Sequence, residues 1–409
     1  MRPRQHVPTI STITITMTFG GFMNTLQNSL KTLAAAAAAS LALAACGGGG
    51  GGGGSSGTGT GTTTTGETGG QKLLDAYAVP ASIAADKVTG YTTPFSSFNT
   101  SVQPNCLQAG LTSTTVYVTP NAVVYATTTV SDKAQALAAD LTEQGIANDK
   151  AFLGLSTSTV GYDGTRVNVC VDSALGQSVG ETGTGVTGSG ARDVFEVMSI
   201  DSPQFDTRYP GATSITGSGY ANLYKHELTH VAHDALLGPI AGGALERWFA
   251  EGLAESAVNA PLLSKTTVLG YVDSADLITA AGSDDMTVYP AYQASVQYLL
   301  QNPGLGFGAT NVPAFLAAFR ARAEALCAQP IPAGVTYPAS MTDGLPAGTY
   351  NACASATPGT VDDRVRALFD TTFNATFKNA DGTPLLLHTA DGANSFEATL
   401  HDRLAAWLP

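Results

Sequence analysis

Apolar residues along the chain fall into two rhythms, and the change between them sets the expected architecture. Thr115 to Thr119 (TVYVT) and Ala122 to Thr128 (AVVYATT) are short runs rich in β-branched and aromatic residues. With Pro120-Asn121 turning between them, they predict two strands. Arg166 to Val171 (RVNVCV) and Val194 to Ile200 (VFEVMSI) predict two more, separated by a glycine-rich loop. Between the pairs, Ala134, Leu137, Ala138 and Leu141 repeat at i, i+3, i+4 and i+7, the spacing of one helical face. That helix is expected to start at a Ser131 or Asp132 cap and to stop at Gly145. After about Ser218 the helical rhythm dominates. Helices are expected over 218–237, where Gly238-Pro239 ends the pattern, and over 245–259, 290–301, 312–329, 361–377 and 395–407. The fold class is therefore α+β.

The first 70 residues follow neither rhythm. Lys31 precedes an apolar run from Thr32 to Ala45 that ends in Leu43-Ala44-Ala45-Cys46. A basic residue, a short apolar stretch and small residues before the cut describe a secretory signal, and the run is too short to span a membrane. Leu-Ala-Ala-Cys resembles the bacterial lipobox, which implies that Cys46 is lipidated and anchors the chain to a membrane. The alternative is an ordinary signal peptide cut nearby. Residues 1–22 fit no part of a signal, and Met23 makes a cleaner start. Gly47 to Gly70 is almost entirely Gly, Ser and Thr, a composition that behaves as a flexible tether. The expected organisation is a signal over 1–45, a lipidated Cys46 and tether over 46–70, and a folded body from Gln71. Its address is the cell envelope, with the outer membrane as the expected anchor.

Charge and cysteine usage narrow the partners. A formal charge of −13, with no cluster of Lys or Arg, argues against nucleic acid. Beyond Cys46 the chain holds Cys106, Cys170, Cys327 and Cys353, an even set that suggests two disulfides in an exported protein. Of the three possible pairings, Cys106–Cys170 and Cys327–Cys353 keep each bridge within one region. Buried free thiols are the alternative.

The chemistry is concentrated in Tyr224-Lys-His-Glu-Leu-Thr-His-Val-Ala232, which contains His226-Glu227-x-x-His230. On a helix, residues four apart share a face, so two imidazoles so placed can grip one zinc ion, with Glu227 beside them to deprotonate a water on the metal. A catalytic zinc takes a third protein ligand and keeps an open position. His233 lies seven residues from His226 on the same helix, about 10 Å along the axis at 1.5 Å per residue. One ion cannot reach all three, so His233 is expected to be a supporting or surface residue. Glu251, in Arg247-Trp-Phe-Ala-Glu-Gly-Leu-Ala-Glu-Ser256, is the better third ligand, carried on a second helix across a glycine loop. Glu255 shares its face and is expected to orient a ligating imidazole.

HELTH followed by WFAEGLAES resembles the gluzincins, thermolysin-like zinc peptidases whose third ligand is a glutamate. The motif covers about Tyr220 to Ser256. The resemblance implies His226, His230 and Glu251 as ligands of one Zn2+ per chain, Glu227 as general base, and a peptide or protein as substrate. It implies a bilobal zincin-like fold, with a mixed-sheet N-terminal lobe over 71–240 and a helical C-terminal lobe over 241–409. It also implies that Val194 to Ile200 is the sheet edge that pairs with extended substrate. Tyr289 to Leu300 resembles the helix after the third ligand, which points to Tyr292 as an oxyanion donor, with Tyr298 behind it. A Gly-x-Met-Glu-Asn element is absent, which favours an endopeptidase over an aminopeptidase. A binding or adhesion protein that retains the fold without turnover is the rival of another class. His388 and His401 read as surface residues, and the loops at Asp284-Asp285, Asp381-Gly382 and Asp391-Gly392 as turns rather than calcium sites.

Overall fold

A computed structural model of the chain describes residues 68–95, 106, 115–176, 188–215, 219–274, 288–301, 307–354, 360–389 and 392–409. The expected signal, Cys46, most of the tether and the Asp284-Asp285 loop lie outside them. The fold is mixed α and β. Its longer elements are α1 (Gly69–Ala76), β1 (Lys87–Thr89), β2 (Thr115–Val118), β3 (Ala122–Ala126), α2 (Asp132–Leu153), β4 (Val167–Asp172), β5 (Gly188–Ala191) and β6 (Val194–Met198). They continue with α3 (Gly219–Ala241), α4 (Arg247–Val258), α5 (Lys265–Ser274), α6 (Tyr289–Gln301), α7 (Val312–Cys327), β7 (Ala328–Pro330), β8 (Thr349–Asn351), α8 (Leu368–Thr376) and α9 (Phe396–Trp407).

Six strands form one sheet in the order β1-β2-β3-β4-β6-β5. The central pairs β3–β4 and β4–β6 are parallel, and the outer pairs are antiparallel. β3 and β6 are buried along their whole length, as parallel strands covered on both faces must be. This placement corrects one expectation. Val194 to Ile200 is not the edge, because β5, drawn from the glycine-rich loop, pairs outside it through Gly190 opposite Phe195. β5 reads GSGA and has none of the β-branched content that marks a strand in sequence.

α2 is the crossover between β3 and β4. The Ser131 hydroxyl caps it by accepting from the Ala134 N–H, as its sequence implies. It does not stop at Gly145. It runs 22 residues to Leu153 and ends on Gly154 in the left-handed conformation. Gly145 is instead a point of close approach to α3: a β-carbon there would stand 2.5 Å from Leu228 Cδ1. Elsewhere, 361–377 is broken into a four-residue helix at Asp363–Arg366 and α8, and α5 has no counterpart among the expected helices.

The larger of two apolar clusters runs from Leu73 to Leu408 and joins the sheet to the helices, and the smaller gathers Phe95, Val116, Val123, Tyr125 and Val194 with the Cys106–Cys170 disulfide. The helical part of the larger is an aromatic cluster in which Trp248 and Phe249 of α4 pack on Phe369, and Trp248 also packs on Phe373 and Phe396. Both disulfides are present as paired above, Cys106–Cys170 onto β4 and Cys327–Cys353 across the β7–β8 hairpin. Among the described residues no helix is long and apolar enough to cross a membrane.

Candidate metal centre

Tyrosines hold the site-bearing face of α3 in place. Tyr220 donates its hydroxyl to the Met198 carbonyl at the end of β6, and Tyr224 packs edge-on against Phe195. With Tyr224, Leu228, Val231 and Ala232 fully buried, His226, Glu227 and His230 lie on the partly exposed side of the helix, facing α4 and β5. The helix ends where Gly238 takes φ 69°, a conformation that favours glycine, and Pro239 cannot continue the hydrogen-bond ladder. The chain then turns through Gly243, whose N–H donates to Asp234 Oδ1 at 2.9 Å. α4 returns along α3, and Glu251 faces the two imidazoles.

Three donor atoms converge. His226 Nε2 and His230 Nε2 are 3.2 Å apart, and Glu251 Oε2 lies 3.2 Å from the first and 3.4 Å from the second. Tetrahedral ligands at bonds of about 2.0–2.1 Å stand about 3.3 Å from one another, so this triangle has the size of one face of a zinc site. Glu251 Oε2 is buried and has no hydrogen-bond partner despite its two neighbours. A buried carboxylate oxygen in that state is one that a cation between the three donors would satisfy. The residues fit a zinc ion.

The electrostatics agree. Burial disfavours a charged His226, but Glu251 and Glu255 outweigh it and lift its pKa well above the ordinary histidine range. Burial also opposes charge on His230, and Glu251 raises it nonetheless. Burial would raise Glu251, yet the imidazoles of His230 and His226 hold its carboxyl well below the usual range. The cluster is arranged to hold positive charge.

Each of the two imidazoles has a partner on its other nitrogen. Glu255 Oε1 is 3.1 Å from His226 Nδ1, the orienting contact that the i, i+4 spacing from Glu251 implies. His233 Nε2 is 2.8 Å from His230 Nδ1. His233 is buried and does not join the ligand set, as the helical spacing requires. Burial is also the main reason its pKa falls below the usual range, against the pull of Asp234.

The edge strand closes the other side. Gly190 donates its N–H to Glu227 Oε2 at 2.8 Å. A β-carbon at Gly190 would lie 2.0 Å from the Glu227 carbonyl oxygen, and one at Gly188 3.1 Å from Glu227 Cγ. Gly190 is required by its contact with the α3 backbone, and Gly188 packs tightly against side chains of the same helix. Sequence reasoning passed over them as part of a loop.

Of the two tyrosines on the first turn of α6, Tyr289 is the one at the centre. Its ring lies parallel to that of His226 at 6.3 Å, and its hydroxyl accepts from Arg247 at 3.1 Å. Burial, followed by the charge of Glu251, raises its pKa. Tyr292 is 1 % exposed and packs beneath it, 5.9 Å ring to ring. Tyr298 lies behind, against Phe396 and Trp407. His388 is exposed as expected, yet it belongs to a second acidic group: its Nδ1 is 2.8 Å from Asp370 Oδ2 and 3.6 Å from Glu246 Oε1. No spacing in the sequence joins these residues.

Comparison with known families, with characterised proteins and with solved structures finds no match to this chain. The geometry of the site and the motif that builds it carry the functional argument.

Proposed function

We propose that the protein is a zinc-dependent metallopeptidase with a bilobal zincin-like fold, acting as an endopeptidase of the cell envelope and tethered through a lipid on Cys46. The observation that carries this reading is the triangle of His226 Nε2, His230 Nε2 and Glu251 Oε2, zinc-sized and containing a buried carboxylate oxygen without a partner. These three side chains would hold the ion. When bound, zinc supplies Lewis acidity, making water a stronger acid and polarising a peptide carbonyl.

This chain's residues would do the rest. Glu227, held by the Gly190 N–H, accepts a proton from the attacking water at its carboxylate and returns it to the leaving amine. Tyr289 is better placed than Tyr292 to donate to the developing oxyanion, because its hydroxyl adjoins Arg247 and its ring stands over His226. The outer edge of β5 offers main-chain groups to a substrate strand.

The test pairs the wild-type chain with Glu227→Ala. Zinc content is measured alongside cleavage of a peptide library containing both free and blocked N-termini. One zinc per chain, with internal cuts that a chelator abolishes and the variant lacks, is the expected result. Cuts confined to free N-termini would make it an aminopeptidase. Zinc without cuts would make it a binding protein.

A further inference from the structure

The second ring nitrogen of a metal-bound histidine normally meets a carboxylate or a main-chain carbonyl, and that contact decides which nitrogen is left to the metal. His226 follows the pattern through Glu255. His230 does not. Its Nδ1 faces the imidazole of His233 at 2.8 Å, and the Nδ1 of His233 is buried 3.3 Å from Asp234 Oδ1, at ion-pair distance but without a hydrogen bond. Asp234 is buried and fixed from the far side by the Gly243 N–H, so the chain ends on the loop between α3 and α4.

We infer that His233 is a positioning residue for the metal centre, acting as the acceptor that fixes the tautomer of His230 and leaves its Nε2 lone pair for the ion. The inference rests on His226, His230 and Glu251 being the ligands. Its logic runs along the contacts. Asp234 is a carboxylate whose Oδ1 also receives a main-chain N–H, so it offers His233 no proton, and its negative charge favours the hydrogen on the His233 nitrogen 3.3 Å away. A neutral imidazole with a proton on Nδ1 has a free lone pair on Nε2. The only group facing that lone pair at hydrogen-bond distance among the described residues is His230 Nδ1. His230 therefore donates from Nδ1, and its Nε2 is the unprotonated nitrogen beside His226 Nε2 and Glu251 Oε2.

The arrangement has a structural consequence too. Asp234 ties the relay to Gly243, which begins the return toward Glu251. The group that sets the tautomer of one ligand is thus fixed to the turn that delivers another. Leu at 233 would keep the apolar bulk and leave the buried His230 N–H without an acceptor. Gln at 233 places a side-chain oxygen near the lost Nε2 and restores one.

The experiment measures zinc affinity by competition with a chromophoric chelator for wild type, His233→Leu and His233→Gln, all as full chains. Melting of the metal-free proteins is followed in parallel. The expected result is at least a 10-fold loss of affinity in His233→Leu, the size seen when such partners are removed. His233→Gln should recover to within about 3-fold of wild type, still in the range of a retained acceptor. Nitrogen-15 spectra of the histidines in the zinc-loaded wild type give a readout that does not depend on a variant folding: His230 and His233 should both carry their proton on Nδ1. Leu and Gln variants that bind zinc as tightly as wild type overturn the proposal, as does a His230 protonated on Nε2. Equal weakening in both variants, matched by equal loss of metal-free stability, also overturns it. If zinc binds and His233 behaves as expected but no peptide is cut, the peptidase reading falls and this one stands. If the wild type takes no zinc, both fall.

Discussion

Gly190 and Glu227 meet twice: the glycine N–H donates to the carboxylate at 2.8 Å, and its Cα faces the backbone of the same glutamate too closely for any β-carbon. One residue therefore sets both the distance from edge strand to helix and the orientation of the carboxylate. Gly190→Ala is expected to fail on both counts. Its β-carbon would fall 2.0 Å from a main-chain oxygen that has no rotamer to escape into. A loss of roughly 1–3 kcal/mol is expected from such overpacking, read by urea unfolding, with a larger proportional loss of peptidase activity. A variant as stable and as active as wild type would refute this account of the edge.

Tyr289 and Tyr292 make a second test. Tyr289→Phe is expected to lower kcat by about 100-fold with KM little changed, the size of effect of removing an oxyanion donor. Tyr292→Phe, in a buried position, should act mainly on stability. The reverse pattern would return the role to Tyr292.

The fully buried Asp149 predicts a pH dependence away from the metal. It accepts from Tyr162 at 2.7 Å and from Thr229, the neighbour of His230, at 3.2 Å. Burial pushes its carboxyl up to about 7, against the opposing effect of hydrogen bonds from Tyr162, Asn148 and Thr229. Because the folded state binds this proton more tightly than the unfolded chain does, its contribution to stability is full below about pH 4. It is then lost as pH rises toward 7. The span corresponds to roughly 4 kcal/mol at most. Asp149→Asn, a mimic of the protonated form, should flatten the fall in urea midpoint between pH 4 and 7. An unchanged slope would assign that fall to other groups.

The two disulfides should differ in worth. Cys106–Cys170 closes a separation of 64 residues and Cys327–Cys353 one of 26. Loop-closure entropy gives about 4 and about 3.5 kcal/mol respectively. Paired Cys→Ala replacements, followed by thermal melting, should rank them in that order. A larger loss from the shorter loop would show that native contacts, not chain entropy, dominate.

Much of the centre was legible in the chain because helices encode local geometry. The i, i+4 repeats put His226 with His230 and Glu251 with Glu255, and Gly238-Pro239 marks the end of the first helix. What could not be read depended on contacts between distant segments. β5 is a strand because it is hydrogen-bonded to β6 and pressed on α3, not because Gly188-Ser-Gly-Ala191 favours extension. Gly145 looked like a stop signal, since nothing nearby in sequence reveals that Leu228 packs against it. Which of Tyr289 and Tyr292 stands beside His226 is set by how the start of α6 packs against α4, and no local spacing encodes that phase.

The three side chains of the candidate centre come from one helical hairpin, residues 226 to 251, whereas the parallel pairing of β3 with β4 spans the whole of α2. Short-range contacts close sooner than long-range ones. β5 and β6 precede the hairpin in the chain, so during biosynthesis the strand that restrains Glu227 is already made when the hairpin emerges. A hairpin that closes quickly onto a finished sheet would bring its three donor atoms and the Glu227 carboxylate into register in a single late event.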